Sequence, residues 1–216
     1  MSTKNKQGIC AYCGKHKKVT ADHVPPKLLL ERPLPPNVWT VPACTDCNQS
    51  FMADDEYTRT ILVMDYRAGD NRARRFNIPV VARALGSPKS QKFTKYVAGQ
   101  ARVMDVLAPD GSPIMDVQPE HDRIYATGRH ILRWLYYLAR KKPLQENAQI
   151  TIKTVMGLTA EHAIVKAFEA ICLKRPDRVG GTLGTAFTYA AAFAEGNSVW
   201  LMQIYDYFCW TAIVDE

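Results

Sequence analysis

Four of the six cysteines in this 216-residue chain fall into two matching pairs. Cys10-x-x-Cys13 and Cys44-x-x-Cys47 are thirty residues apart. Four thiolates spaced in this way are the ligand set of a tetrahedral structural zinc. Each turn brings two sulfurs to one ion, and four sulfurs leave no position for water. Such an ion closes the long intervening loop and replaces the core that a small module lacks. A single C-x-x-C would also fit a redox motif. Asp22-His23 stand ahead of Pro25-Pro26, and Asn48 directly follows Cys47. A zinc module needs none of these three. Taken alone, Asp22-His23 fit a turn with a local side-chain bond, and Asn48 fits a helix N-cap.

The segments "CAYCGK", "TADHVPPK" and "VPACTDCNQ", in that order, resemble the Cys-rich branch of the HNH, or ββα-metal, nuclease family. The resemblance covers residues 8 to about 57. It implies that Cys10, Cys13, Cys44 and Cys47 bind structural Zn²⁺. It further implies that Asp22 and Asn48 hold one catalytic divalent ion, Mg²⁺ above all, and that His23 is the general base. One carboxylate and one amide oxygen suit a hard ion that keeps waters and phosphate oxygens around it. Imidazole suits base work near neutral pH. Neighbouring strand residues point to opposite faces, so one of the two can hold metal while the other meets the attacking water.

The chain also departs from that pattern. The family's middle asparagine usually precedes the third cysteine by five residues, where this chain has Trp39. Asn37, two residues earlier, is the nearest substitute and is expected to act as the catalytic loop clamp. The family's basic residue after the last ligand is replaced by Asp54, Asp55 and Glu56. These read as solvated helix surface or, alternatively, as an enlargement of the metal site. His16, His121, His130 and His162 have no ligand spacing and read as surface or helix residues. Cys172 and Cys209 lie in apolar surroundings and read as buried, unreactive thiols.

The elements that must position these groups follow from periodicity and breakers. Val19 to Val24 and Val38 to Val41 read as short strands, separated by the irregular "ERPLPPN". From Cys44 to about Ala68 the apolar spacing is helical. "RARRFNIPVVARAL" reads as a short basic stretch and an apolar piece. A β-hairpin is expected around Pro109-Asp-Gly-Ser. A long helix is expected over Glu120 to Lys142, then a strand at Gln149 to Val155 and a helix from Thr159 to Leu173. Strands at Thr185–Ala194, Val199–Tyr205 and Phe208–Val214 complete the chain. The fold class is α+β: a small zinc-stabilised ββα-metal module over 1–70, a basic connecting segment over 71–105, and an α+β domain with an antiparallel sheet over 106–216.

The net charge of +7 is concentrated in one stretch. Arg72, Arg74, Arg75, Arg83, Lys89, Lys92, Lys95 and Arg102 occur without an intervening acid. Such a stripe fits phosphate binding, and equally a solvated surface. The start "MSTKNKQGIC" is polar and basic, which places the protein in the cytoplasm. No apolar run is long enough to enter a membrane. The expected function is metal-dependent endonuclease action on DNA, with RNA the alternative substrate. The alternative is a non-catalytic zinc module that binds nucleic acid or protein. The 106–216 domain carries no cofactor signature and is expected to serve as a homodimer or partner-subunit contact.

Overall fold

The computed structural model describes residues 6–65, 70–107, 111, 113–156, 166, 168, 170 and 177–216. It is a mixed fold of helices and antiparallel sheets. Strands β1 (Lys6–Ile9), β2 (His16–Val24) and β3 (Trp39–Cys44) form a three-stranded sheet in sequence order. The β2–β3 register runs from Val19 opposite Cys44 to Val24 opposite Trp39. Asp22 and His23 therefore lie at the end of β2 far from the cysteines. There the chain leaves through Pro25-Pro26 into a one-turn 3₁₀ helix, Lys27–Leu29.

Helix α1 (Thr45–Ser50) starts at Cys44, and α2 (Met52–Met64) follows after Phe51. The single helix expected from Cys44 is thus broken in two. "RARRFNIPVVARAL" also differs from expectation, because it is one helix, α3 (Arg72–Leu85), running through Pro79. Asn71 caps it, its Oδ1 accepting from the amides of Ala73 and Arg74. Ala73, Asn77 and Val81, four apart, form its buried face. Pro79 lies on the exposed side. A short helix, α4 (Gln91–Ala98), follows. A two-stranded ribbon, β4 (Ala101–Leu107) with β5 (Pro113–Val117), is the expected hairpin. Most of its Pro-Asp-Gly-Ser turn lies outside the described residues.

Helix α5 (His121–Arg140) matches the long helix expected near there. The second sheet holds β6 (Gln149–Met156), β7 (Arg178–Leu183), β8 (Phe187–Ala194), β9 (Asn197–Ile204) and β10 (Phe208–Asp215). Its order is β6-β10-β9-β8-β7, all antiparallel. Strands β1 and β7 and helix α4 were not foreseen. The helix expected from Thr159 to Leu173 falls mostly outside the described residues, as does Cys172.

Helix α5 joins the two sheets. Gly128 lets it approach the five-stranded sheet, since a Cβ there would lie 2.5 Å from Trp210 Cδ1 and 2.6 Å from Ile152 Cδ1. The Trp210 indole donates to the Ile124 carbonyl at 3.1 Å. On its other side, Thr127 meets Thr58 of α2 through a buried 2.9 Å hydroxyl pair. Trp39 docks β3 onto the second sheet. It sits edge-on to Tyr189 and over Gly181, where a Cβ would come within 2.8 Å of its ring. Trp39 is thus used for packing. One buried apolar cluster includes Cys10, Val41, Ile61, Val81, Ile131 and Trp210, and so runs across the expected boundaries near 70 and 105.

Candidate active site beside a cysteine cluster

The Sγ atoms of Cys10, Cys13, Cys44 and Cys47 all lie within 4.8 Å of one another and could hold a metal ion such as zinc. The β1–β2 turn brings in the first pair. Cys10 donates its amide to the Lys15 carbonyl at 3.0 Å, and Gly14 returns a bond to the Cys10 carbonyl at 3.0 Å. Gly14 has φ +66°, the left-handed conformation that glycine tolerates best. The Ala11 amide reaches the Pro42 carbonyl at 2.8 Å and ties this turn to β3. Cys44 stands at the N-cap of α1 and Cys47 lies in its first turn, and the Cys44 amide donates toward Cys10 Sγ, 3.4 Å away.

Burial pushes the Cys10 thiol up, but the amides of Cys13, Cys44 and Tyr12 pull it down further, to about 7. Cys47 is pushed well up by burial and by its bonds and charge interactions with the other cysteines. Four crowded sulfurs cannot all ionise unless a cation neutralises them, which is the electrostatic signature of a thiolate metal site.

Next to this cluster lies a cleft of about 700 Å³. Asp22 and His23 from β2, Asn48 from α1, and Asp55, Glu56 and Arg59 from α2 line it, with His130 and Trp134 from α5. The three groups singled out by the sequence therefore share one cavity. Both carboxylate oxygens of Asp22 are held: Oδ1 accepts the His23 amide at 2.9 Å, and Oδ2 accepts the Tyr12 hydroxyl at 2.9 Å. Burial raises the Asp22 carboxyl above the usual range, against the lowering effect of the Tyr12 bond. His23 is half-buried. Burial first, then the charges of Lys27 and Arg32, hold its imidazole below the ordinary range.

Several expectations need correction. Asn37 is exposed in the loop before β3 and does not line the cleft. Asp55 is not solvated helix surface, being only 4% exposed. Asp54 pairs with Arg123 at 2.7 Å. His130, read as a surface or helix residue, does lie on helix α5 but is only 2% exposed. Its Nε2 lies 2.6 Å from the Tyr12 hydroxyl, and its Nδ1 lies 3.4 Å from Asp55. Tyr12, Asp55 and His130 are thus the residues that sequence reading missed. The one available signal was that His130 falls on the apolar stripe of α5 with Ile131 and Trp134.

The basic stripe is spread over α3, the following 3₁₀ turn, α4 and β4. Arg72, Arg75, Arg83, Lys89, Lys92, Lys95 and Arg102 are exposed, while Arg74 is half-buried. Arg72 pairs with Glu31 at 2.9 Å and Arg75 with Asp70 at 3.1 Å. None of the stripe lines the cleft, where the cations are Lys27 and Arg59. The Arg59 Nε is buried and has no hydrogen-bond partner among the described residues. Compared with protein-family models, curated proteins and solved structures, the chain matches none.

Proposed function

We propose that this protein is a metal-dependent endonuclease of the HNH type that hydrolyses phosphodiester bonds in DNA. The observation that carries the reading is that Asp22, His23 and Asn48 line a single cleft beside a four-cysteine cluster. A purely structural metal module has no need of an imidazole, a carboxylate and an amide turned into one cavity. The cysteines would hold zinc, because four thiolates match its coordination. In the cleft, Asp22 and Asn48 offer two hard oxygen donors, a fit for Mg²⁺ or a similar ion. When bound, that ion supplies positive charge for the phosphate and the leaving oxygen.

The remaining work falls to the chain's own side chains. His23 accepts the proton of the attacking water, a role its depressed pKa favours, because the ring is then neutral at neutral pH. Arg59, with its unpaired buried Nε, and Lys27 supply donors for a phosphate entering the cleft. The exposed cations of α3 and α4 would hold the backbone of a long substrate without reading its sequence.

The test is supercoiled plasmid with and without Mg²⁺, wild type beside His23→Ala. Mg²⁺-dependent nicking by the wild type is expected, with a loss of about 10²–10⁴-fold in the variant. Zinc content and fold should be unchanged. A folded, zinc-loaded His23→Ala that cuts at the wild-type rate would remove His23 from the mechanism. It would favour a non-catalytic zinc module that binds nucleic acid or protein.

A further inference from the structure

A buried chain of polar groups ends on Asp22 and begins on a helix more than a hundred residues away. The Tyr12 hydroxyl has one hydrogen, and it is directed at Asp22 Oδ2, 2.9 Å away. An ionised carboxylate can only accept, so that hydrogen is committed to it. The phenol oxygen is then the acceptor in its 2.6 Å contact with His130 Nε2, and Nε2 must carry a hydrogen. The other ring nitrogen, Nδ1, faces the Asp55 carboxylate at 3.4 Å. The imidazole cannot turn away. Phe51 stacks on it with centroids 3.7 Å apart, and Trp134 lies 3.8 Å away. Tyr12 is gripped as well, by Phe51 at 5.1 Å and Trp134 at 5.6 Å.

Asp22, Asp55 and His130 do not close into a three-ligand group: among the described residues, the four cysteines are the one group of three or more His, Cys, Asp and Glu whose ligand atoms all lie within 4.8 Å of one another. The pattern is instead that of a hydrogen-bonded support behind a ligand, which fixes its orientation and basicity.

The geometry points to Tyr12, His130 and Asp55 as a positioning relay that holds the Asp22 carboxylate for a divalent cation. This inference rests on Asp22 being a cation ligand, as proposed above. His130 donates its Nε2–H to Tyr12, Tyr12 fixes Oδ2 of Asp22, and Asp55 faces His130 Nδ1, a contact that is a hydrogen bond when a proton sits on Nδ1 or on the carboxyl. Helix α5 thereby becomes part of the site's machinery. These three are positioning residues, acting on the cation only through Asp22.

The experiment is a titration of the full-length, zinc-loaded protein with Mn²⁺ alone, followed by electron paramagnetic resonance and without nucleic acid. The wild type is expected to bind one Mn²⁺, and Asp22→Ala to lose it. Tyr12→Phe keeps the ring packing but removes the donor, and should weaken Mn²⁺ binding by about 10–100-fold, the usual cost of losing a ligand's support. Histidine replacements separate donation from packing. His130→Gln retains an N–H toward Tyr12 and should bind Mn²⁺ within several-fold of wild type. His130→Leu has no donor and should bind as weakly as Tyr12→Phe. Wild-type binding together with undiminished affinity in Tyr12→Phe overturns the relay and leaves the endonuclease reading intact. If Tyr12→Phe loses zinc or does not fold, the histidine pair decides. Equal affinities in His130→Gln and His130→Leu then overturn the relay. A wild-type protein with no Mn²⁺ site at Asp22 overturns both readings.

Discussion

His23 shows how surroundings set the chemistry of one side chain. Burial and two nearby cations disfavour its protonated form, so its pKa falls below the ordinary 6.5. A general base must be neutral to act, and lowering its pKa extends the neutral form to lower pH. If His23 is the base of the endonuclease proposed above, the rate of plasmid cleavage at saturating divalent ion should rise with pH and reach half its plateau below pH 6.5. A half-rise well above that value would mean that another group controls the reaction. The residues of this site differ in how readable they were. The cysteines announce themselves because their spacing is itself the constraint. Asp22, His23 and Asn48 drew notice through their order between and after the cysteine pairs, and the structure brings them into one cleft. Tyr12 and His130 were not, because their partnership spans 118 positions. Nothing local distinguishes such a histidine from the apolar residues around it. Asp55 sits in a run of three acids, the usual mark of a solvated face, and only the fold turns the middle one inward.

At the scale of elements, the close approach of α5 to the five-stranded sheet depends on Gly128. Adding a methyl group there would drive it into Trp210 and Ile152. Gly128→Ala should therefore cost about 1–3 kcal/mol, the usual price of overpacking. Thermal unfolding followed by circular dichroism would show this as a lower melting temperature. An unchanged melting temperature would mean that α5 lies farther from the sheet. The sequence had marked α5 well, because its apolar stripe is long and unbroken. Helix α3 was obscured by Pro79, which lacks the donor that a helix interior normally uses. Its real signals were the Asn71 cap and the spacing of Ala73, Asn77 and Val81. Strand β7 was hidden by Gly180-Gly181, since glycine weakens a strand pattern. Gly181 is small because the Trp39 ring lies against it, a requirement written elsewhere in the chain.

For the whole molecule, the cysteine cluster and the second sheet share one apolar core. Thermal unfolding should therefore be a single transition, and, with zinc on the cysteines as proposed, stripping it with a strong chelator should move that transition as a unit. A structural zinc contributes several kcal/mol or more, and 1 kcal/mol shifts the melting temperature of a chain this size by about 2–4 °C. A fall of at least about 10 °C is expected in scanning calorimetry. Two separated transitions, with only one sensitive to the chelator, would show that the cysteine-bearing segment unfolds by itself. The α+β class was legible because strand and helix periods are local properties. The continuity of the core was not, since it depends on which faces meet.

The bonds from Asp22 through Tyr12 to His130 also bear on how such a site can be inherited. A site confined to its first fifty residues could be copied onto another protein by moving that segment alone. Here the copied piece would arrive without the imidazole behind Tyr12, and with the Trp39 ring exposed where Gly181 now receives it. If the proposed relay operates, descendants of this chain are constrained to keep the N-terminal motif and helix α5 together. Related sequences should show paired change at positions 12 and 130 sooner than independent drift.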